Sequence, residues 1–231
     1  AAAASELAVT VHFPLTATVC VLAGAAAARW FVPDGAPADR VLARPGRGLV
    51  VLGLVAFCAF LVDGTAYQWS AVHLRADRAA AAGAAAAAFT VFALGVAIGR
   101  LVTSRLLVRF GRAWAVRAAG AVVAAGMVLV MALPSVPASL AGWGVVGLGV
   151  SALAPVVLGA APAASGLQAP SAIAAVTTVG YLGSFTGPLV IGTLAGLSSL
   201  TAAFGVVAVA GLAVVLLAGH LPSAGEPRRR G

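Results

Sequence analysis

One carboxylate lies in an unusually apolar part of this chain. Of the six acidic residues, only Asp63 falls within or beside a long apolar run, which covers about residues 48–63. An ionisable group in such surroundings is costly, so its presence suggests a function. The chemistry that it offers is the uptake and release of a proton. A second interpretation stays open, in which Asp63 lies near the outer end of its helix and is solvated or caps that helix.

Polar and aromatic residues follow this carboxylate. Tyr67 and Gln68 are candidates to line a cavity and to close it on the outer side. The alternative is that they belong, together with Trp69, to the belt of aromatic residues found where a protein meets the membrane surface. For Trp69 the belt is the favoured interpretation.

A later apolar run carries a second group of candidates. Thr177, Tyr181 and Ser184 predict a polar helix face toward a water-filled cavity. The alternative is that the hydroxyl groups bond carbonyl oxygens of their own helix. Gly187 and Pro188 follow, and the proline removes a backbone hydrogen bond and predicts a kink. Such a kink would serve either a gating motion or packing alone.

The chain contains no recognisable catalytic or metal-binding set. His12, His73 and His220 each lie near the end of an apolar run or beyond it, without a ligand partner at helical spacing. No serine has the histidine and carboxylate of a triad, and a chain without lysine cannot form a lysine-containing phosphate loop. Cys20 and Cys58 are predicted to be small buried residues, not a disulfide or metal pair. We therefore expect no enzyme activity, no cofactor and no metal.

The composition predicts an all-α, polytopic transmembrane helix bundle. Hydrophobic residues make up 62% of the chain and charged residues 9%, and the mean hydropathy is +1.08. A soluble domain cannot bury so much apolar surface, and the apolar runs are continuous where a β-barrel would alternate. The net charge of +8 has no aromatic-interleaved basic patch that would bind nucleic acid.

Seven apolar segments are long enough to be predicted as membrane spans. They cover about residues 13–32, 48–63, 79–98, 113–133, 138–160, 171–194 and 200–219. With seven spans, twelve of the fourteen arginines fall on one side of the membrane, and only Arg75 and Arg78 fall on the other. Because positive charge concentrates on the cytoplasmic side, we expect the N-terminus outside and the C-terminus in the cytoplasm.

The segment between the third and fourth runs is dense in charge. Residues 99–112 contain four of the arginines, and arginine is costly at the bilayer centre, so this segment is predicted to be a tight loop on one membrane face. Its polar and glycine residues are Gly99, Arg100, Ser104, Arg105, Arg109, Gly111 and Arg112. The favoured interpretation is that the arginines anchor the loop at the cytoplasmic interface. The alternative is that they make inter-helix contacts that hold one conformation.

This segment resembles the cytoplasmic signature loop of the major facilitator superfamily. The matching residues are Gly99, Leu101, Arg105, Arg109, Phe110, Gly111 and Arg112, while Ser104 stands where the family usually has an aspartate. The spacing of the spans, the placement of charge and the stretches 63–70 and 180–188 extend the resemblance over nearly the whole chain, to a bacterial branch of predicted inner-membrane facilitators.

The resemblance implies the second half of such a protein plus the helix before it. It divides the chain into the last helix of the first half (1–33), a central cytoplasmic loop (34–47), a six-helix bundle (48–220) and a basic cytoplasmic tail (221–231). Since the chain lacks an initiator methionine and starts outside, we expect it to begin partway through a longer protein. Its partners would then be the lipid bilayer, the missing N-terminal half and a small-molecule substrate of unknown identity.

The implied function is that of a secondary active transporter in the bacterial inner membrane, working by alternating access. The apolar helices favour export of a neutral or hydrophobic solute by proton antiport. The alternative is a non-transporting seven-helix sensor or scaffold, and a membrane-embedded enzyme is the third and least favoured interpretation.

Overall fold

The computed structural model describes residues 2–28, 46–165 and 168–221. The chain divides into two units, and helix α1 (Ala2–Ala28) belongs to the first of them. This helix begins at Ala2, well before the start of the first predicted span at about residue 13. Alanine is the strongest helix former, which explains the early start. The predicted central loop lies almost wholly outside the described residues.

In its described residues the second unit consists of helices joined by short turns. Its elements are α2 (Arg47–Ala76), α3 (Ala82–Phe110), α4 (Arg112–Ala132), α5 (Val136–Val150), α6 (Leu153–Ser165), α7 (Ala169–Leu197), α8 (Leu200–Ala203), α9 (Gly205–Leu217) and a final 3₁₀ turn (Ala218–His220). In the described part of the chain, six segments are long and apolar enough to cross a membrane, with α5 and α6 counted together and α8 counted with α9. The all-α polytopic prediction is confirmed. Of the first predicted span, only a shorter apolar stretch, Pro14–Ala27, is described.

Two helix ends differ from the prediction. Helix α2 continues beyond Asp63 to Ala76, and α3 continues through the segment predicted as a loop and ends at Phe110. At 1.5 Å per residue, helices of 30 and 29 residues are about 45 Å long, whereas the hydrocarbon core is about 30 Å thick. The hydropathy pattern marked only part of each helix, and the more polar continuation is also helical.

The junctions between helices are short. Gly111 alone separates α3 from α4, and its φ of +78° is a conformation that favours glycine. The predicted fifth span consists of α5 and α6, separated at Ser151, whose hydroxyl donates to the Leu148 carbonyl oxygen at 2.7 Å. Helix α6 ends at Ser165 and α7 begins at Ala169, so the predicted loop 161–170 is shorter than expected.

Glycines allow the helices of the second unit to approach closely. Helix α2 packs along α7, α4 packs against α5 and α9, and α3 packs against α5. A Cβ atom at Gly64 would lie 2.7 Å from the Ser184 carbonyl oxygen, too close for any side chain. In lipid, where the hydrophobic effect between helices is weak, this close backbone packing is a main source of association.

Candidate functional site

Asp63 lies in the middle of α2, not at its end. At 1.5 Å per residue, about 24 Å of helix precede it and about 20 Å follow it. Its side chain is half-buried. The expectation that Asp63 lies near the end of its helix, where it could act as a cap, is therefore wrong. The alternative of a solvated carboxylate stays a prediction. Gly64 and Ser70, which follow Asp63 in the chain, are buried within the same helix.

Aromatic side chains flank this carboxylate along the helix. Phe60 precedes Asp63 by three residues and Tyr67 follows it by four, spacings that place all three on one face of α2. The Phe60 ring meets the Tyr181 ring of α7 edge-on, with centroids 5.6 Å apart. The Tyr67 ring lies 5.0 Å from the Phe89 ring of α3. Asp63 is thus flanked on α2 by two aromatic contacts, one reaching each neighbouring helix.

A positive charge on α3 acts on the same carboxylate. The Arg100 guanidinium is close enough to interact electrostatically with Asp63. The pattern of the sequence assigned Arg100 to a loop, since a charged residue between two apolar runs resembles a connection. The helical continuation of α3 instead places it within that helix, with an exposed side chain.

The remaining cavity candidates occupy neighbouring positions on α2 and α7. Tyr67 is 59% exposed and Tyr181 is 58% exposed. Each tyrosine ring therefore contacts another aromatic ring and still leaves more than half of its side chain exposed. Gln68 is exposed beside Tyr67, and Thr177 and Ser184 are half-buried on α7. Two of these residues therefore lie on α2 and three on α7. Their cavity-lining role stays a prediction.

Two residues at the C-terminal part of α2 are more buried than their sequence context suggested. Trp69 is half-buried, and its ring lies 3.3 Å from the position of a Cβ atom on Gly192 of α7, so it packs between helices. His73 is fully buried with its ring edge-on to Phe204, centroids 5.2 Å apart, and near Trp143. Neither ring nitrogen of His73 has a hydrogen-bond partner among the described residues.

Cys20, predicted to be buried, is exposed.

The signature segment is helical except at Gly111, so the prediction of a loop is wrong for residues 99–110. Gly99 is buried where α3 meets α5, and Ser104 is exposed. Arg105 and Arg109 are exposed, and the Arg109 guanidinium lies over the Phe110 ring at 5.2 Å. No carboxylate of the described residues forms an ion pair with these arginines. Anchoring and conformational contacts both stay predictions.

Helix α7 continues through the proline that predicted a kink. Pro188 lies inside α7, and Gly187 before it is buried. A Cβ atom at Gly187 would lie 2.8 Å from the Leu61 carbonyl oxygen and 2.9 Å from Thr65 Oγ1. Gly187 therefore permits the close approach of α7 to α2, and a gating role for this pair stays a prediction.

Comparisons with known proteins agree on one family. A family model described as Major Facilitator Superfamily matches residues 52–231. An uncharacterized MFS-type transporter of Yersinia pestis is 34% identical over 149 residues, which are 64% of this chain and 39% of that protein. An uncharacterized transporter of Sinorhizobium fredii is 31% identical over 140 residues, which are 61% of this chain and 37% of that protein.

Two solved structures share the fold of this chain. A peptide transporter, POT, crystallised as a mutant with alafosfalin, superposes with a TM-score of 0.68 and 20% identity, covering 80% of this chain and 40% of that one. The same transporter with sulfate gives a TM-score of 0.69, again at 20% identity, covering 80% and 39%. The chain therefore spans about two fifths of the length of the curated relatives that it matches.

Proposed function

The chain belongs to the major facilitator superfamily, and on that premise we propose that it forms one six-helix bundle of a proton-coupled secondary transporter. In this mechanism two bundles rock about a site near the middle of the membrane, so that the site opens to each side in turn. The present chain supplies the bundle from α2 to α9. A second bundle, encoded by the same gene, completes the site.

The position of Asp63 is the observation that carries the proposal. It is a half-buried carboxylate in the middle of a span, flanked by aromatic contacts to both neighbouring helices and under the influence of Arg100. A group in this position loses much of its hydration in one state of the transporter and regains it in another. Its proton affinity then differs between the two states, which is what coupling requires.

The exposed tyrosines suggest where the solute and the second bundle lie. Tyr67 and Tyr181 present apolar rings with polar hydroxyl groups on either side of Asp63. Such a surface favours a small, neutral or hydrophobic solute held by ring contacts and a few hydrogen bonds. We propose that the second bundle faces this side of α2 and α7, and that the coupled movement is export.

The arginines suggest the orientation in the membrane. Arg105, Arg109 and Arg112 lie at the junction of α3 and α4, and the opposite end of α3 follows Arg75 and Arg78. With the junction in the cytoplasm of a bacterial inner membrane, α2 begins inside and the C-terminus is also inside. The N-terminus of this chain then lies outside.

The test measures proton movement driven by a solute gradient. Everted membrane vesicles from cells expressing the complete gene are energised, and the collapse of the internal acid gradient is followed as neutral and lipophilic dyes are added. Dipeptides are tested as a second group of solutes. We expect at least one solute to collapse the gradient, Asp63→Asn to abolish the response, and Asp63→Glu to retain part of it.

A matched variant separates coupling from general damage. Asp77 is the other carboxylate among the described residues of the bundle, and it lies in the turn after α2, away from Asp63. Asp77→Asn should leave the solute response within about twofold of wild type. If Asp63→Asn couples protons as well as Asp77→Asn does, the proposed role of Asp63 is wrong. If no solute in the panel moves protons in any variant, a sensor or scaffold becomes the better interpretation.

A further inference from the structure

Two adjoining cavities form a groove between the end of α3 and helix α6. Their volumes are about 540 Å³ and 370 Å³, and Leu107 and Pro155 line both of them. We call this feature the α3–α6 groove. Its other lining residues include Arg100, Ser104, Arg112 and Gly159.

One end of the groove, which we call its mouth, is lined by Gly111 and Arg112 at the junction of α3 and α4. Phe110 and Trp114 stack there with centroids 4.4 Å apart, and their side chains are 46% and 44% exposed. Exposed aromatic rings beside arginines are typical of the level at which lipid headgroups lie. Arg112 is between these two rings in sequence and lines the groove.

The charge at this mouth is positive and uncompensated. Arg112 lines this mouth and Arg109 lies three residues before it in the chain, and neither has a carboxylate partner in the described ranges. The two described carboxylates of the bundle lie away from this mouth. Asp63 is in the middle of α2, and Asp77 is in the turn before α3, at the opposite end of that helix. The first turn of α4 also has no side-chain cap, so its backbone N–H groups add to the positive potential at Arg112.

The floor of the groove is apolar. Leu107, Pro155 and Val156 form it below Arg112, and the Val108 side chain beside them is 91% exposed. Arg100 lines the other end of the groove with its exposed side chain, whose methylene stem adds apolar surface. A free anion would use only the mouth of this groove, whereas an anionic amphiphile uses both parts.

We propose that the α3–α6 groove binds an anionic glycerophospholipid. The headgroup phosphate lies against the Arg112 guanidinium, and one acyl chain lies along Leu107 and Pro155. Basic pockets between spanning helices are known to select anionic lipids by this combination of charge and apolar contact. The inference is independent of which solute the protein carries.

The first test removes the charge. The full-length protein is purified in detergent with added phosphatidylglycerol or phosphatidylcholine of equal chain length, and retained lipid is counted by native mass spectrometry. We expect wild type to retain phosphatidylglycerol over phosphatidylcholine, and Arg112→Gln to reduce that preference about fivefold. The control is Arg105→Gln, which removes an exposed arginine that does not line the groove and should change the preference less than twofold.

The second test fills the groove and keeps its charges. Gly159 lines the groove, and a Cβ atom at this position would have no other atom within 4 Å, so Gly159→Phe adds a ring there without a backbone clash. It should reduce retention of phosphatidylglycerol several-fold. Gly196 of α7 is equally unobstructed and lies elsewhere, so Gly196→Phe should retain lipid as wild type does.

Three results would overturn the proposal. One is equal lipid retention by Arg112→Gln and Arg105→Gln, and another is undiminished retention by Gly159→Phe. The third is displacement of phosphatidylglycerol by millimolar inorganic phosphate, which would identify a site for the free anion.

Discussion

Thr201 at the start of α8 donates a hydrogen bond of 2.6 Å from its Oγ1 to Oδ2 of Asp77, in the turn that follows α2. The next residue, Arg78, donates to the Val130 carbonyl oxygen of α4 at 3.0 Å and to the Ser139 hydroxyl of α5 at 3.3 Å. The turn after α2 is thereby connected to three later helices, α4, α5 and α8. These bonds close the end of the bundle opposite to the α3–α4 junction.

Removing this connection should lower stability measurably. Thr201→Val deletes a hydrogen bond to a charged, partly buried acceptor and is expected to cost about 1–2 kcal/mol. Thermal unfolding in detergent measures the loss. Thr193→Val is the control, because the Thr193 hydroxyl only donates to the Leu189 carbonyl oxygen of its own helix and is exposed. Similar losses in both variants would mean that the contact with Asp77 contributes nothing specific.

The contact of α2 with α7 should not tolerate a side chain at Gly64. Gly64→Ala would place a Cβ atom 2.7 Å from the Ser184 carbonyl oxygen, so the helices must separate, at a cost of about 1–3 kcal/mol. At Gly83 of α3 the same change meets no atom within 4 Å, and Gly83→Ala should be neutral or slightly stabilising. Denaturant titration of the two variants provides the comparison. Equal stability of both would argue against the close packing of α2 on α7.

The junction between α3 and α4 should require glycine for its backbone alone. Gly111 has φ +78° and ψ 172°, and no atom lies near its Cβ position, so crowding cannot explain a loss. Gly111→Ala is expected to cost about 1–3 kcal/mol because this region of backbone conformation is nearly exclusive to glycine. Ala79, with a φ of 49°, offers the reverse test. There Ala79→Gly should be neutral or should stabilise the protein by up to about 1 kcal/mol. Thermal unfolding measures both variants. Equal losses of stability at Gly111 and Ala79 would contradict the backbone explanation.

The buried ring of His73 should matter for its volume and not for its nitrogen atoms. His73 contacts Phe204 and Trp143, and its ring nitrogens have no partner among the described residues. We expect the unfolding free energy of His73→Leu to stay within about 1 kcal/mol of wild type, because it removes unpaired polar atoms and keeps most of the volume. His73→Ala leaves a cavity and should cost about 2–4 kcal/mol. If the leucine variant is as unstable as the alanine variant, the nitrogens do take part in bonding.

Much of the architecture could be predicted from local patterns. Long apolar runs require a membrane, and their number and spacing, together with the arginines that follow them, predicted the helix bundle and its family. Helix ends were harder to predict. Asp63 and residues 99–110 look like connections in a hydropathy profile because hydropathy reports the surroundings of a residue, whereas helix continuity depends on backbone hydrogen bonds that polar residues form equally well.

The sequence by itself determined the membrane environment, the α-helical class and the presence of an isolated carboxylate at Asp63, since each follows from residue type and order. Only the tertiary structure decided which residues meet. It places Phe60 against Tyr181, Tyr67 against Phe89 and the charge of Arg100 within reach of Asp63. These partners lie on different helices, and their contacts depend on how glycine-lined helix faces pack, which no local pattern of residues specifies.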